Sequence, residues 1–201
     1  KCQCSSRIKL KEMGQGGAFC CANGTTYVPD PPSEQEIFTN LPGAEEKLWR
    51  IAFVALDIEN AGKLPLDNDS LRQYICQASG LGADPEGLSR ALVFHGRDDS
   101  LTYEGLVNLL RESPFDETEA IVLFQNVSGS EDSIESVDAR SALRNVGERN
   151  LGANFGEETW DKIMNIVMSD SDFMVDMEAW TRMTKLLARL VRAVKQRRDT
   201  A

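Results

Sequence analysis

Phe53-Val54-Ala55-Leu56-Asp57-Ile58-Glu59-Asn60-Ala61-Gly62-Lys63-Leu64-Pro65-Leu66-Asp67-Asn68 is the stretch whose reading decides the fold. Upstream of it, Leu48, Ile51, Ala52, Ala55 and Leu56 recur on one face of a helix predicted over 44–56. Downstream, a second helix is predicted over 70–78. The connection is polar and carries a glycine, Gly62, where the backbone can turn sharply. It also carries an apolar side chain, Leu64, two residues after that glycine.

The same unit recurs along residues 45–201. Apolar residues return at helical spacing in about eight stretches, with polar or Gly-containing breaks between them. Corresponding apolar anchors stand at Leu64, Leu101, Ile134 and Val175. Leu101-Thr102-Tyr103-Glu104-Gly105-Leu106 leads into a helix, as does Val175-Asp176-Met177-Glu178-Ala179-Trp180. Glu119-Ala120-Ile121-Val122-Leu123-Phe124 reads as the helix entering the third break. A repeated supersecondary unit points to an architecture more strongly than any single motif.

These residues resemble the EF-hand superfamily, and calmodulin-like four-hand proteins in particular. In that likeness Asp57 takes loop position 1, Glu59 position 3, Gly62 position 6 and Leu64 position 8. The resemblance implies an all-α fold, apart from short strand pairs joining the loops. It implies two lobes of paired EF-hand-like units, over 42–112 and 115–187, with the break at Ser113-Pro114-Phe115-Asp116. Buried positions are expected at Trp49, Phe53, Leu56, Leu64, Leu92, Leu101, Leu106, Phe124, Ile134, Leu143, Ile163, Ile166, Val175 and Trp180.

The resemblance also exposes a defect. An EF-hand loop takes two calcium ligands from a Glu at position 12. The corresponding residues here are Asn68, Gly105, Asp138 and Ala179. The second loop is short and places Arg97 inside the cage, the third is long, and the fourth has Phe173 where Gly belongs. The first loop is the one metal candidate, with Asp57, Glu59, the Lys63 carbonyl and Asn68 (or Asp67) as ligands. No cofactor is expected beyond one weakly bound calcium there. The acids Asp170 and Asp172 read as solvated loop caps.

Residues 177–198 carry a second signal. Trp180, Met183, Leu187, Leu190 and Val194 form one apolar stripe at helical spacing, widened by Leu186 and Val191. Residues 180–201 hold seven basic side chains against Asp199, so with a chain total of −10 the remainder carries −16. A basic amphipathic helix of this kind suits a partner groove, a membrane surface or the acidic body of its own chain. Trp180, Met183, Leu187, Leu190, Val194, Arg189 and Arg192 are the expected partner-binding residues. Residues 188–201 are expected to project as a basic helical tail.

Residues 1–41 read as an extended arm with Cys2, Cys4, Cys20, Cys21, the run Gly14-Gln15-Gly16-Gly17 and Pro29-Asp30-Pro31-Pro32. The cysteines suit metal ligation, acylation, disulfides or plain reduced thiols. Lys1 is not Met, so a processed leader is an expectation. The acidic net charge argues against general nucleic-acid binding, and no apolar run is long enough for a transmembrane helix.

His95 is the single histidine and reads as a surface loop residue; Cys76 reads as core packing. No ordered nucleophile–base–orienter motif is present, and no small-molecule substrate is expected. The resemblance therefore implies a non-catalytic structural or adaptor subunit, gripping a helix of a larger assembly without calcium. One alternative is a calcium sensor using the first loop alone. Another is a peripheral membrane protein held by acylated cysteines and the basic tail. A cytoplasmic setting is favoured, within a large complex or at a membrane.

Overall fold

The computed structural model describes residues 27–79, 85–112, 117–129, 131–169 and 173–200. The arm cysteines, Asp170, Asp172 and the break at 113–116 lie outside the described residues. Local chemistry starts the first helices. Ser33 Oγ accepts the Glu36 N–H at 3.1 Å and begins α1 (Glu34–Thr39). Asn40 Oδ1 accepts the Gly43 N–H at 3.3 Å, and Pro42 sits in the first turn of α2 (Leu41–Leu56). Composition places residues 34–39 in the extended arm, but they are helical. The cap at Ser33 and the complete burial of Ile37 account for the difference.

Beyond α2 the chain repeats helix, short strand, helix. β1 (Lys63–Pro65) leads to α3 (Asp69–Ser79). Then come α4 (Pro85–His95), β2 (Ser100–Thr102) and α5 (Tyr103–Glu112). The second half runs α6 (Glu117–Ser128), β3 (Ser133–Glu135), α7 (Ser136–Arg149), α8 (Glu157–Val167), β4 (Met174–Asp176) and α9 (Met177–Thr200). The strands form two antiparallel pairs. In β1–β2, Leu64 faces Leu101; in β3–β4, Ile134 faces Val175. The apolar anchors of the sequence thus meet two by two, and all four are buried.

Two hydrophobic cores form around these pairs. One gathers Trp49, Phe53, Leu64, Leu71, Ile75, Leu92, Leu101 and Leu106. The other gathers Phe124, Ile134, Leu143, Trp160, Ile163, Val175, Trp180 and the inner face of α9. Of the side chains expected inside, Leu56 and Ile166 are only partly covered, and both pack against a core. Cys76 likewise packs against the first.

The cores do not divide where the sequence divides. Ile37, Ala44 and Leu48 belong with the second core, while Trp49 and Phe53 belong with the first. One helix, α2, therefore serves both. The Tyr103 hydroxyl adds a tie within the first half by donating to the Glu46 carbonyl at 3.1 Å.

Helix α9 carries the largest departure from expectation. Its 24 residues span about 36 Å at 1.5 Å per residue. Residues 188 onward do not project; α9 packs against α1, α2, α3 and α8, burying Ala188, Leu190, Val191, Ala193 and Val194. The physical reason is that the stripe finds apolar partners, and its cations find acceptors, on the same chain.

Glu45 of α2, 1% exposed, receives two of those cations. Arg189 donates to it through Nε at 3.1 Å and Nη2 at 2.6 Å, and Arg192 through Nη2 at 2.8 Å. Burial lowers the Arg192 pKa from its ordinary value, and the Glu45 charge opposes that shift. The bond to Glu45 raises that of Arg189. Tyr74 of α3 lies beside this cluster, its hydroxyl pushed up to about 12 chiefly by burial. It neighbours Gln196 but has no partner in hydrogen-bond geometry among the described residues. Farther along, Lys195 Nζ donates to the Leu151 carbonyl at 2.8 Å, and the Arg198 guanidinium lies 4.6 Å from the Phe155 ring centre.

Two substitutions test this packing. Glu45→Ala leaves Arg192 buried without its carboxylate and is expected to cost about 3–5 kcal/mol in urea unfolding. Gly147 lies under the Trp160 ring, where a Cβ would overlap the aromatic carbons. Gly147→Ala is expected to cost about 1–3 kcal/mol by the same measurement, because neither α7 nor the indole can yield cheaply.

Candidate functional site

The first loop is closed by its own backbone. Asp57 ends α2, and its Oδ1 accepts the Ala61 N–H at 2.9 Å while Oδ2 accepts the Gly62 N–H at 2.8 Å. Gly62 has φ 71°, the left-handed geometry that a glycine adopts at no steric cost. Of the other candidate ligands, Glu59 is exposed to solvent, and Lys63 belongs to β1. Asn68 Oδ1 is engaged at 3.1 Å by the Leu71 N–H at the start of α3. The four candidates thus do different local jobs. Among the described residues, no group of three or more His, Cys, Asp or Glu is placed to hold a metal ion.

The second loop has become a tight hairpin. Arg97 N–H donates to the Ser100 carbonyl at 2.8 Å, and Ser100 N–H returns to the Arg97 carbonyl at 3.0 Å. The two residues between, Asp98 and Asp99, have φ 50° and 55°. Positive φ at both central positions is the signature of a turn whose twist matches the strands it joins. Asp tolerates that geometry better than most residues, though less well than Gly. His95, just before this turn, is not a free loop residue. It closes α4, its side chain is 9% exposed, and Nε2 lies 3.0 Å from Glu112.

An open recess lies elsewhere, between α6 and α7. It is a groove of about 210 Å³. Leu123, Val127, Ala142, Val146 and Trp180 form its apolar part, and Asn126, Asn145, Arg149 and Asn150 its polar part. Trp180 is held in place by donating Nε1 to the Ala120 carbonyl at 2.9 Å and by an edge-on contact with Phe124. Val127 is 40% exposed, so the apolar lining reaches the surface.

Of the residues expected to bind a partner, Trp180 alone lines this groove. Met183, Leu187, Leu190 and Val194 lie in the second core. Arg189 and Arg192 grip Glu45. Sequence periodicity does not mark the groove residues on α6 and α7, where Asn126 and Asn145 follow the polar Gln125 and Arg144. Glu45 had a plainer signal, an acid between Ala44 and Leu48 on an apolar face.

Comparison with protein-family models, with curated proteins and with solved structures finds no match. The chain is therefore described by its own geometry: mostly helical, with two short antiparallel strand pairs, two cores and the long helix α9 among the described residues.

The hairpin gives a direct test of the second loop. Asp99→Gly removes the cost of left-handed geometry at that position and is expected to raise stability by about 0.5–1 kcal/mol, read as a higher urea midpoint. An unchanged or lower midpoint would contradict the turn described here.

Proposed function

We propose that this chain is a non-catalytic, calmodulin-like adaptor of the EF-hand type, which binds a partner protein without calcium. The observation that carries this reading is the Asp57 carboxylate. It sits where such a loop would begin its cage, and both of its oxygens are bonded to the loop's own amides. A loop closed in this way has its conformation without an ion. The anchor pairs Leu64–Leu101 and Ile134–Val175 support the same reading, because they join the loops back to back. The place we assign to that partner is the α6–α7 groove, where Val127 reaches the surface.

The sensor reading draws on one specific observation: Gly62 keeps φ 71° in a loop that retains Asp57 and Glu59. Calorimetric titration of the full chain separates the two. The adaptor reading expects no binding heat at micromolar calcium. Micromolar binding that vanishes in Asp57→Ala would replace it with the sensor. Against the membrane reading stand Arg189 and Arg192, two of the seven cations it would use, which pair with Glu45.

A further inference from the structure

We infer that the outer end of the β3–β4 pair is a docking surface for the chain's own basic segment, Arg7-Ile8-Lys9-Leu10-Lys11. Ile8 and Leu10 cover Val137, Phe173 and Met174, and the three cations meet Glu131, Asp132 and Glu135. This stands apart from the adaptor reading, because it uses neither the first loop nor the α6–α7 groove. The surface is open: Val137 is 72% exposed, Phe173 73% and Met174 42%. Strand pairing gathers them. Ile134 and Val175 face each other and are buried, so the next pair, Glu135 and Met174, shares the outward face. The Ser136 N–H donates to the Phe173 carbonyl at 2.9 Å, which brings the first turn of α7, with Val137, to the same end of the ladder. Three apolar side chains grouped in this way form a patch, unlike the scattered exposure that any surface shows.

The charge around the patch selects its occupant. Glu131, Asp132 and Glu135 are exposed and form no ion pair among the described residues. The neighbouring acids have other tasks. Asp138 sits at the start of α7, where a carboxylate suits the helix dipole. Asp176 Oδ1 accepts the Ala179 N–H at 2.8 Å, and Glu178 pairs with Arg182. No Lys or Arg occurs in 112–139 or in 163–181, so the strand pair and its loops hold no cation of their own. The matching end of the first half differs, with Lys63 in β1 and Arg97 in the hairpin among its acids. The chain has two cation-rich segments. One is α9, already packed. The other is residues 1–11, outside the described residues, where Ile8 and Leu10 alternate with Arg7, Lys9 and Lys11. The distance can be spanned. Thr159 bonds both Glu34 and Arg198, so α1 begins beside the last turns of α9, and the patch lies at the other end of that helix, about 36 Å away. Residues 12–33 reach about 70 Å when extended. Exposed ion pairs contribute little by themselves, so the cover that Ile8 and Leu10 give to Phe173 decides where the segment rests.

The test is cross-linking of the full chain with a carbodiimide, which joins a lysine amine to a carboxylate in direct contact, followed by mass spectrometry of the monomer. Lys9 and Lys11 are expected to link to Glu131, Asp132 and Glu135 in preference to the exposed acids of the first half, Glu59, Asp67, Asp98 and Asp99. Phe173→Ser, which removes the centre of the patch, should cut the yield about tenfold. The double change Ile8→Ser and Leu10→Ser should do the same while leaving every reactive group in place. Circular dichroism shows that the Phe173→Ser chain has folded, and the arm variant leaves all described residues untouched. Comparable yields at the first-half acids would overturn the inference, since the segment would then sample any acidic surface. Links that survive both apolar changes would overturn it by reducing the contact to charge alone. In a mixture of unlabelled and isotope-labelled chains, links joining the two kinds would overturn it by making the occupant the arm of a second copy. Absence of any link from Lys9 and Lys11 would overturn it as well.

Discussion

Glu45 is the point on which the arrangement of helices depends. Burying a carboxylate to 1% exposure is costly unless cations are brought to it, and α9 brings two of them one turn apart. Because Arg189 engages it through two nitrogens, the contact fixes rotation as well as distance. That rotation in turn decides which residues of α9 face inward. Leu187, Leu190, Val191 and Val194 can all be buried only in the orientation that the two arginines set. Electrostatics here supplies the register, and apolar burial supplies the bulk of the attraction.

The junction also shows what such an arrangement costs. Trp49 Nε1, the Tyr74 hydroxyl and Arg192 Nε are buried without hydrogen-bond partners among the described residues. All three belong to the helices that meet around Glu45, α2, α3 and α9. A polar node that joins two apolar cores cannot satisfy every donor while keeping the helices close. The loops follow the opposite economy. Asp57, Asn68 and Ser100 each spend their side-chain oxygens on nearby backbone, so the connections hold themselves in shape.

Much of this was legible in the sequence, for identifiable reasons. Leu64, Leu101, Ile134 and Val175 stand out because, in the EF-hand likeness, each takes the loop position whose apolar side chain packs in a short strand pairing two loops. The helices beginning near 44 and 70 were visible in their periodicity, although Asn40 and Pro42, which start α2 earlier, were not weighed. The α9 stripe was visible too, but periodicity reports that a face is buried and not what buries it. Hence the stripe read as a surface for a partner, when its partner is the rest of the chain. That α2 serves both cores is hidden for a related reason: Leu48 and Trp49 are neighbours in sequence and belong to different cores. The α6–α7 groove was hidden because it is defined by what α7 leaves uncovered, a property of packing alone.

The bond between Glu45 and Arg189 joins residues 144 positions apart. On the ribosome, at about 5–20 residues per second, the acid emerges roughly 7–30 seconds before the base that neutralises it. During that interval α2 has its carboxylate in water and half of its apolar face without a cover. The early part of the chain therefore waits for α9 to be made before its charge is met.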